Sequence, residues 1–195
     1  MLTQKELNDA YNKVMHERVP SMYHEAIIRH FFSTFKENVN DDIIAQKVCL
    51  LDMTYSTQIV RFKKVTIADI VNRIKELNFD ARVQGQDKEL VKELASVTAA
   101  KDGKITNLFS FASKYCCLHN FYAYQKDDYS IYDSVVAKYL PKYANVTSSE
   151  LEEWRKNCDY ENFIKCIDET LKVIGPNVKN KRRKFDFFLW LQKDN

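Results

Sequence analysis

Two residues of this chain could do covalent chemistry together. Lys114 and Asp133 stand nineteen positions apart in the stretch LFSFASKYCCLHNFYAYQKDDYSIYDSVVAKYL, residues 108–140. The stretch reads as a helix opening near Lys114, an irregular aromatic crossing, and a second helix opening at Asp133. An amine at one helix mouth and a carboxylate at the next can support nucleophilic catalysis, the amine attacking carbon and the carboxylate stabilising the developing cation. The positive end of a helix and partial burial both favour the neutral form of a lysine, which is the form that attacks. Taken singly, each residue has a plainer reading: a lysine on a helix is usually solvated, and an aspartate ahead of a helix is usually its cap.

The elements that must hold this pair follow from hydrophobic spacing. Ile105, Leu108, Phe109, Ala112, Tyr115, Cys116 and His119 fall on an i, i+3, i+4 rhythm, with a tight turn expected before Lys114. Asp133 precedes Val135, Val136, Tyr139 and Leu140 as a cap, and Pro141 ends that helix. Upstream, Thr3 and Glu6 form a capping box for a first helix that ends before Pro20. Ser21 caps a second, whose stripe of Tyr23, Ile27, Ile28, Phe31, Phe32 and Phe35 marks it as a core element. A third helix opens at Asp41 or Asp42, a fourth at Thr66 with Asp69, and another spans about Gln86 to Ala100 before a turn with Gly103 left-handed. Ser148 or Ser149 starts the next, and Tyr160 to Ile174 form one more, closed by Gly175 and Pro176.

With only three Gly and three Pro in 195 residues there are few chain breakers, so the fold class is all-α with about ten helices. The length suits one domain or two small lobes. A net charge of +3 announces no nucleic-acid protein and excludes none. Five cysteines, Cys49, Cys116, Cys117, Cys158 and Cys166, show no spaced CxxC pair and read as reduced thiols. A polar N-terminus and the lack of a membrane-length apolar run predict a cytoplasmic protein with no membrane contact. The four histidines lack zinc-ligand spacing, so no metal or cofactor is expected. A monomer is the simplest assembly.

Two further clusters merit naming. Lys181, Arg182 and Arg183 precede Phe185, Phe187, Phe188 and Trp190 in a basic-then-aromatic segment. Such a cluster can hold phosphates, while the aromatics read as the core face of a terminal helix. Arg18 and His24 fit the spacing of the HEPN ribonuclease family, a pattern that also occurs by chance across helix starts.

The segment from Leu108 to Lys114 lies in register with the Leu-Pro-Gly-x-Gly-x-Lys hairpin of the helix-hairpin-helix DNA glycosylases, the group that includes 8-oxoguanine DNA glycosylase. Asp133 in IYDSVV is similar in position to that group's catalytic aspartate, and VCLLDMTYSTQIVRFKKVTIADIVNRI resembles the helices ahead of the hairpin. The resemblance spans residues 43 to 140, with Ser110 and Ala112 in place of the two hairpin glycines. It implies a two-lobed helical domain, with lobe A built from residues 1–42 and 142–195, lobe B from 43–141, and a hairpin near 108–116. It implies Lys114 as the nucleophile on C1′, Asp133 as its partner, and double-stranded DNA with a damaged base as substrate. DNA contacts would come from Ser110, Ala112 and Ser113 with Lys181, Arg182 and Arg183; the base would lie among Tyr55, Phe111, Tyr115, Tyr132 and Trp190. The terminal iron-sulfur cysteines of some relatives are missing. Three functions follow: a base-excision glycosylase with lyase activity, a non-catalytic glycosylase-like module binding protein or nucleic acid, and a helical ribonuclease using Arg18 and His24.

Overall fold

The computed structural model describes residues 2–17, 22–55, 57, 59, 64–175 and 178–193. Arg18, Pro20, Ser21 and Pro176, to which the sequence assigns catalytic, stop or cap roles, lie outside them. The described residues form eleven α-helices and one small antiparallel hairpin. The first six helices are α1 (Gln4–His16), α2 (Tyr23–Thr34), α3 (Asp41–Tyr55), α4 (Ile67–Glu76), α5 (Phe79–Gln84) and α6 (Glu89–Ala95). Strands β1 (Ser96–Thr98) and β2 (Ile105–Asn107) follow, then α7 (Phe109–Leu118), which runs on into a π-helical turn, His119–Ala123. The last are α8 (Ser134–Tyr139), α9 (Ser148–Asn157), α10 (Tyr160–Thr170) and α11 (Lys181–Leu191). The fold is all-α.

Local chemistry sets most starts. Thr3 with Glu6, Thr66 with Asp69 and Thr147 with Glu150 close reciprocal capping boxes on α1, α4 and α9. α9 starts at Ser148, one of the two predicted positions, with Thr147 as its cap. At α3 the side chain of Asn40 accepts from the Ile43 N–H at 2.9 Å, one residue ahead of the predicted Asp41 or Asp42.

Two expectations are corrected here. The helix predicted over 86–100 stops at Ala95, because Ser96–Thr98 pair in register with Ile105–Asn107 and the chain turns at Gly103, φ +69°. The hairpin predicted near 108–116 is one unbroken helix. Asn107 Oδ1 accepts from the Phe109 N–H at 3.0 Å, and each positive-φ residue described lies elsewhere. Without glycine at Ser110 and Ala112, helical backbone is the lower-energy conformation. Lys114 thus stands in the second turn of α7, not at its mouth.

Packing closes the chain on itself. α1 lies along α11, with Tyr11 and Phe187 rings 5.9 Å apart and Lys184 Nζ donating to Asn8 Oδ1 at 2.8 Å. One continuous apolar cluster runs from Leu7 through Ile28, Phe32, Leu51, Phe109 and Phe163 to Leu189. α2 is less buried than its stripe predicts. Ile28 and Phe32 enter the core, whereas Tyr23, Ile27 and Phe35 stay exposed.

Candidate active site

Ser113 on α7 fixes the geometry of the site. Its Oγ accepts from the Tyr132 N–H at 3.0 Å and donates to the Tyr132 carbonyl at 3.3 Å, bracketing the extended segment ahead of Asp133 against the helix. Cys117 Sγ donates to the Tyr129 carbonyl at 3.4 Å, one turn further along the same helix. Tyr160 reinforces the segment from α10, its hydroxyl accepting from the Ser130 N–H at 2.8 Å and donating to the Ser130 carbonyl at 2.9 Å.

The bracket delivers Asp133 to Lys114. Lys114 Nζ lies 3.4 Å from Asp133 Oδ2, donates to Ser110 Oγ at 2.7 Å, and sits 5.6 Å from the centre of the Tyr55 ring. Asp133 Oδ1 meanwhile accepts from the N–H groups of Val135 and Val136 at 2.9 and 3.0 Å, capping α8 as predicted. One carboxylate therefore serves both the helix and the amine. The pair is enclosed: Lys114 is 2% exposed and Asp133 6%.

A second set of charges adjoins it. Arg183, fully buried on α11, pairs with Glu25 of α2 through Nη2 and with Asp186 through Nη1. Glu25 also accepts from the Tyr55 hydroxyl at 2.6 Å and from the Tyr122 hydroxyl. The Arg183 guanidinium lies 4.2 Å from the Phe187 ring centre. Burial pushes the Glu25 carboxyl up, but the Arg183 charge and the two tyrosine hydroxyls more than offset it, leaving the group below its ordinary range. Burial dominates at Asp186 and carries its pKa up to about 7; the Arg183 and Lys114 charges pull it down and those of Asp133 and Glu25 push it up. Asp186 Oδ1 is buried without a hydrogen-bond partner. Two cations and three carboxylates thus share one interior, and a proton on Asp186 brings them into balance.

The other predicted residues divide. Tyr55 lies beside the pair; Trp190 packs on the Tyr55 ring, perpendicular at 5.8 Å, and His24 packs on both rings. Tyr115 turns instead toward Phe79, with Phe111 packed on the Tyr115 ring, and the Tyr115 hydroxyl donates to Asn38 Oδ1 at 2.8 Å. Tyr132 points toward α9, donating to the Leu151 carbonyl at 2.9 Å.

The predicted DNA contacts are corrected in part. Ala112, Ser113 and Arg183 are sealed in the interior, since α7 is buried all round except at Ser110 and the inner face of α11 packs on the core. Ser110 and Lys181 are half-buried. The N-terminus of α11 already holds an anion: Asp127 accepts from the Arg182 and Arg183 N–H groups at 2.8 and 3.0 Å, and Arg182 also pairs with Asp168 at 2.6 Å. Burial pushes the Asp127 carboxyl up to about 6. His24 is half-buried, and burial holds its imidazole below the ordinary range.

Sequence reasoning missed Glu25, Tyr122 and Asp186. The available signal was an acid in the apolar run YHEAII and another in KFDFFLW, where a charge inside a buried stripe requires a partner. Among the described residues no group of three or more His, Cys, Asp or Glu is placed to hold a metal ion, and no helix is long and apolar enough to cross a membrane.

Comparison with known proteins places the chain. The family model HI_0787_N, described as an N-terminal domain, matches residues 5–128 and so takes in Glu25, Tyr55 and Lys114. A protein of Haemophilus influenzae with the description "Uncharacterized protein" is 33% identical over 161 residues, covering 77% of this chain and 72% of its own. No solved structure matches the chain. The protein belongs to the HI_0787_N family.

Proposed function

We infer that the chain is a base-excision enzyme acting on damaged DNA through Lys114 and Asp133. The observation that carries this is the 3.4 Å approach of Lys114 Nζ to Asp133 Oδ2, with the other carboxylate oxygen fixed by the α8 backbone. An amine beside an immobilised carboxylate suits attack on C1′. Lys114 first passes a proton to Asp133; its freed amine forms the bond to C1′, the C1′–base bond breaks with its electron pair leaving on the base, and the base takes the proton back from Asp133. The sugar ring then opens, O4′ leaving C1′ with the proton given up by the lysine nitrogen, which leaves the C1′=N imine that borohydride reduces. Asp133 stabilises the positive charge that develops on the sugar. Substrate access requires the Tyr55 ring to move aside, because the amine is buried beside it. The five free thiols support a cytoplasmic setting.

Burial favours a second reading, a non-catalytic helical module in which Lys114 and Asp133 are an internal ion pair. Borohydride reduction of the protein with duplexes carrying 8-oxoguanine or an abasic site separates the two. A covalent adduct that disappears in Lys114→Ala supports catalysis. No adduct on either duplex, together with no duplex binding at low salt by a stably folded protein, supports the module.

A further inference from the structure

Outside the charged interior lies a cavity that the amine chemistry does not use. It occupies about 430 Å³ between the C-terminal half of α1 and the N-terminal half of α2, a volume typical of small-molecule sites. Met15, Met22, Tyr23 and Ile27 supply its apolar wall, and Tyr23 and Ile27 remain exposed at the rim. Uncovered large apolar side chains bordering a concavity mark a binding surface more often than a solvated one.

Arg29 shares that wall. Arg29 as a residue is half-buried, and its polar contact among the described residues is the Met15 sulfur, 3.8 Å from Nη1. A thioether is a weak acceptor and leaves the five N–H donors of a cation largely unused. The other half-buried arginines among the described residues are paired: Arg73 with Glu76, Arg82 with Asp87 and Glu93, Arg155 with Glu152, and Arg182 with Asp168. Glu25 forms the floor, but its carboxylate is engaged by Arg183 and two tyrosines, so it does not answer Arg29. His16 and His30 add further donors at the opening.

We propose that this cavity binds a small organic anion with an apolar body, its head paired with Arg29 and its body against Met15, Met22 and Tyr23. The head is a phosphate monoester or a carboxylate; both present the paired oxygens that a guanidinium fork takes bidentately. The site is independent of Lys114 and stands whether or not that amine reacts.

Isothermal titration calorimetry on the full chain tests it with three probes: octyl phosphate, octanoate and inorganic phosphate. One of the two apolar-bodied anions should bind at micromolar to low-millimolar concentration while inorganic phosphate alone does not, and which one binds assigns the head. Arg29→Met keeps most of the side-chain volume and should weaken that binding about tenfold or more, whereas Lys104→Met, at an exposed position between β1 and β2, should leave it unchanged. If Arg29→Met fails to fold, Ile27→Trp narrows the opening from an exposed position and should abolish binding at an unchanged Tm. Absence of binding by both organic anions at millimolar concentration overturns the proposal, as does full affinity in the folded Arg29→Met protein or, where that is unfolded, in Ile27→Trp.

Discussion

The Ser113 hydroxyl is hydrogen-bonded to both the N–H and the carbonyl of Tyr132, and the residue that follows Tyr132 is the one that meets Lys114. A helix side chain therefore acts as a two-point splint for an otherwise irregular strand. Ser113→Ala removes both bonds and leaves a buried N–H unpaired, which costs about 1–3 kcal/mol. Urea denaturation should register that loss, and a change below a few tenths of a kcal/mol would show the splint to be redundant.

The ion pair itself is testable by a double-mutant cycle. Lys114→Met leaves a buried carboxylate without its cation and should destabilise the fold by about 3–5 kcal/mol. Asp133→Asn keeps an oxygen to cap α8 and should cost less. The double variant should be markedly more stable than the sum of the single losses predicts, and strict additivity would mean that the two groups do not interact in solution.

Asp186 predicts a pH dependence with a definite sign. Its carboxyl is raised to about 7 from an ordinary 3.8, so the folded chain retains a proton that the unfolded chain has lost. That stabilisation is complete below about pH 4 and disappears as pH rises through about 7. Asp127, raised to about 6, acts in the same direction, so the variant isolates the effect. Between about pH 5 and 7 the stability of Asp186→Asn should fall less steeply than that of the wild type, by up to about 1.4 kcal/mol per pH unit. Parallel curves would place the proton elsewhere.

Gly103 adopts φ +69° in the turn between β1 and β2, with open space where a Cβ would sit. Substitution by Ala thus tests backbone strain free of steric clash and should cost about 1–2 kcal/mol. A thermal melt resolves that.

What was readable from sequence was local. Thr3, Thr66 and Asp133 are caps whose partners lie two or three residues away, so the pattern and the contact coincide. The meeting of Lys114 with Asp133 was legible through the spacing of two helix starts, although the helix carrying Lys114 begins earlier than its turn signals suggested. The surface face of α2 was not legible, because an apolar stripe does not say which of its members find a neighbour. Least accessible was the fate of Arg183: its position in a basic run reads as surface, and its partner Glu25 is 158 residues away in the chain.

That last separation bears on biosynthesis. Glu25 is made 158 residues before its guanidinium counterpart on α11, so over that interval a nascent polypeptide on the ribosome carries an anion destined for the interior without the arginine that neutralises it. A fragment restricted to residues 5–128, the span that the family model covers, lacks Arg183 altogether and has to protonate Glu25 or keep it wet. Full burial of α2 is thereby deferred until α11 has been made, and α11 acts as an electrostatic latch on it.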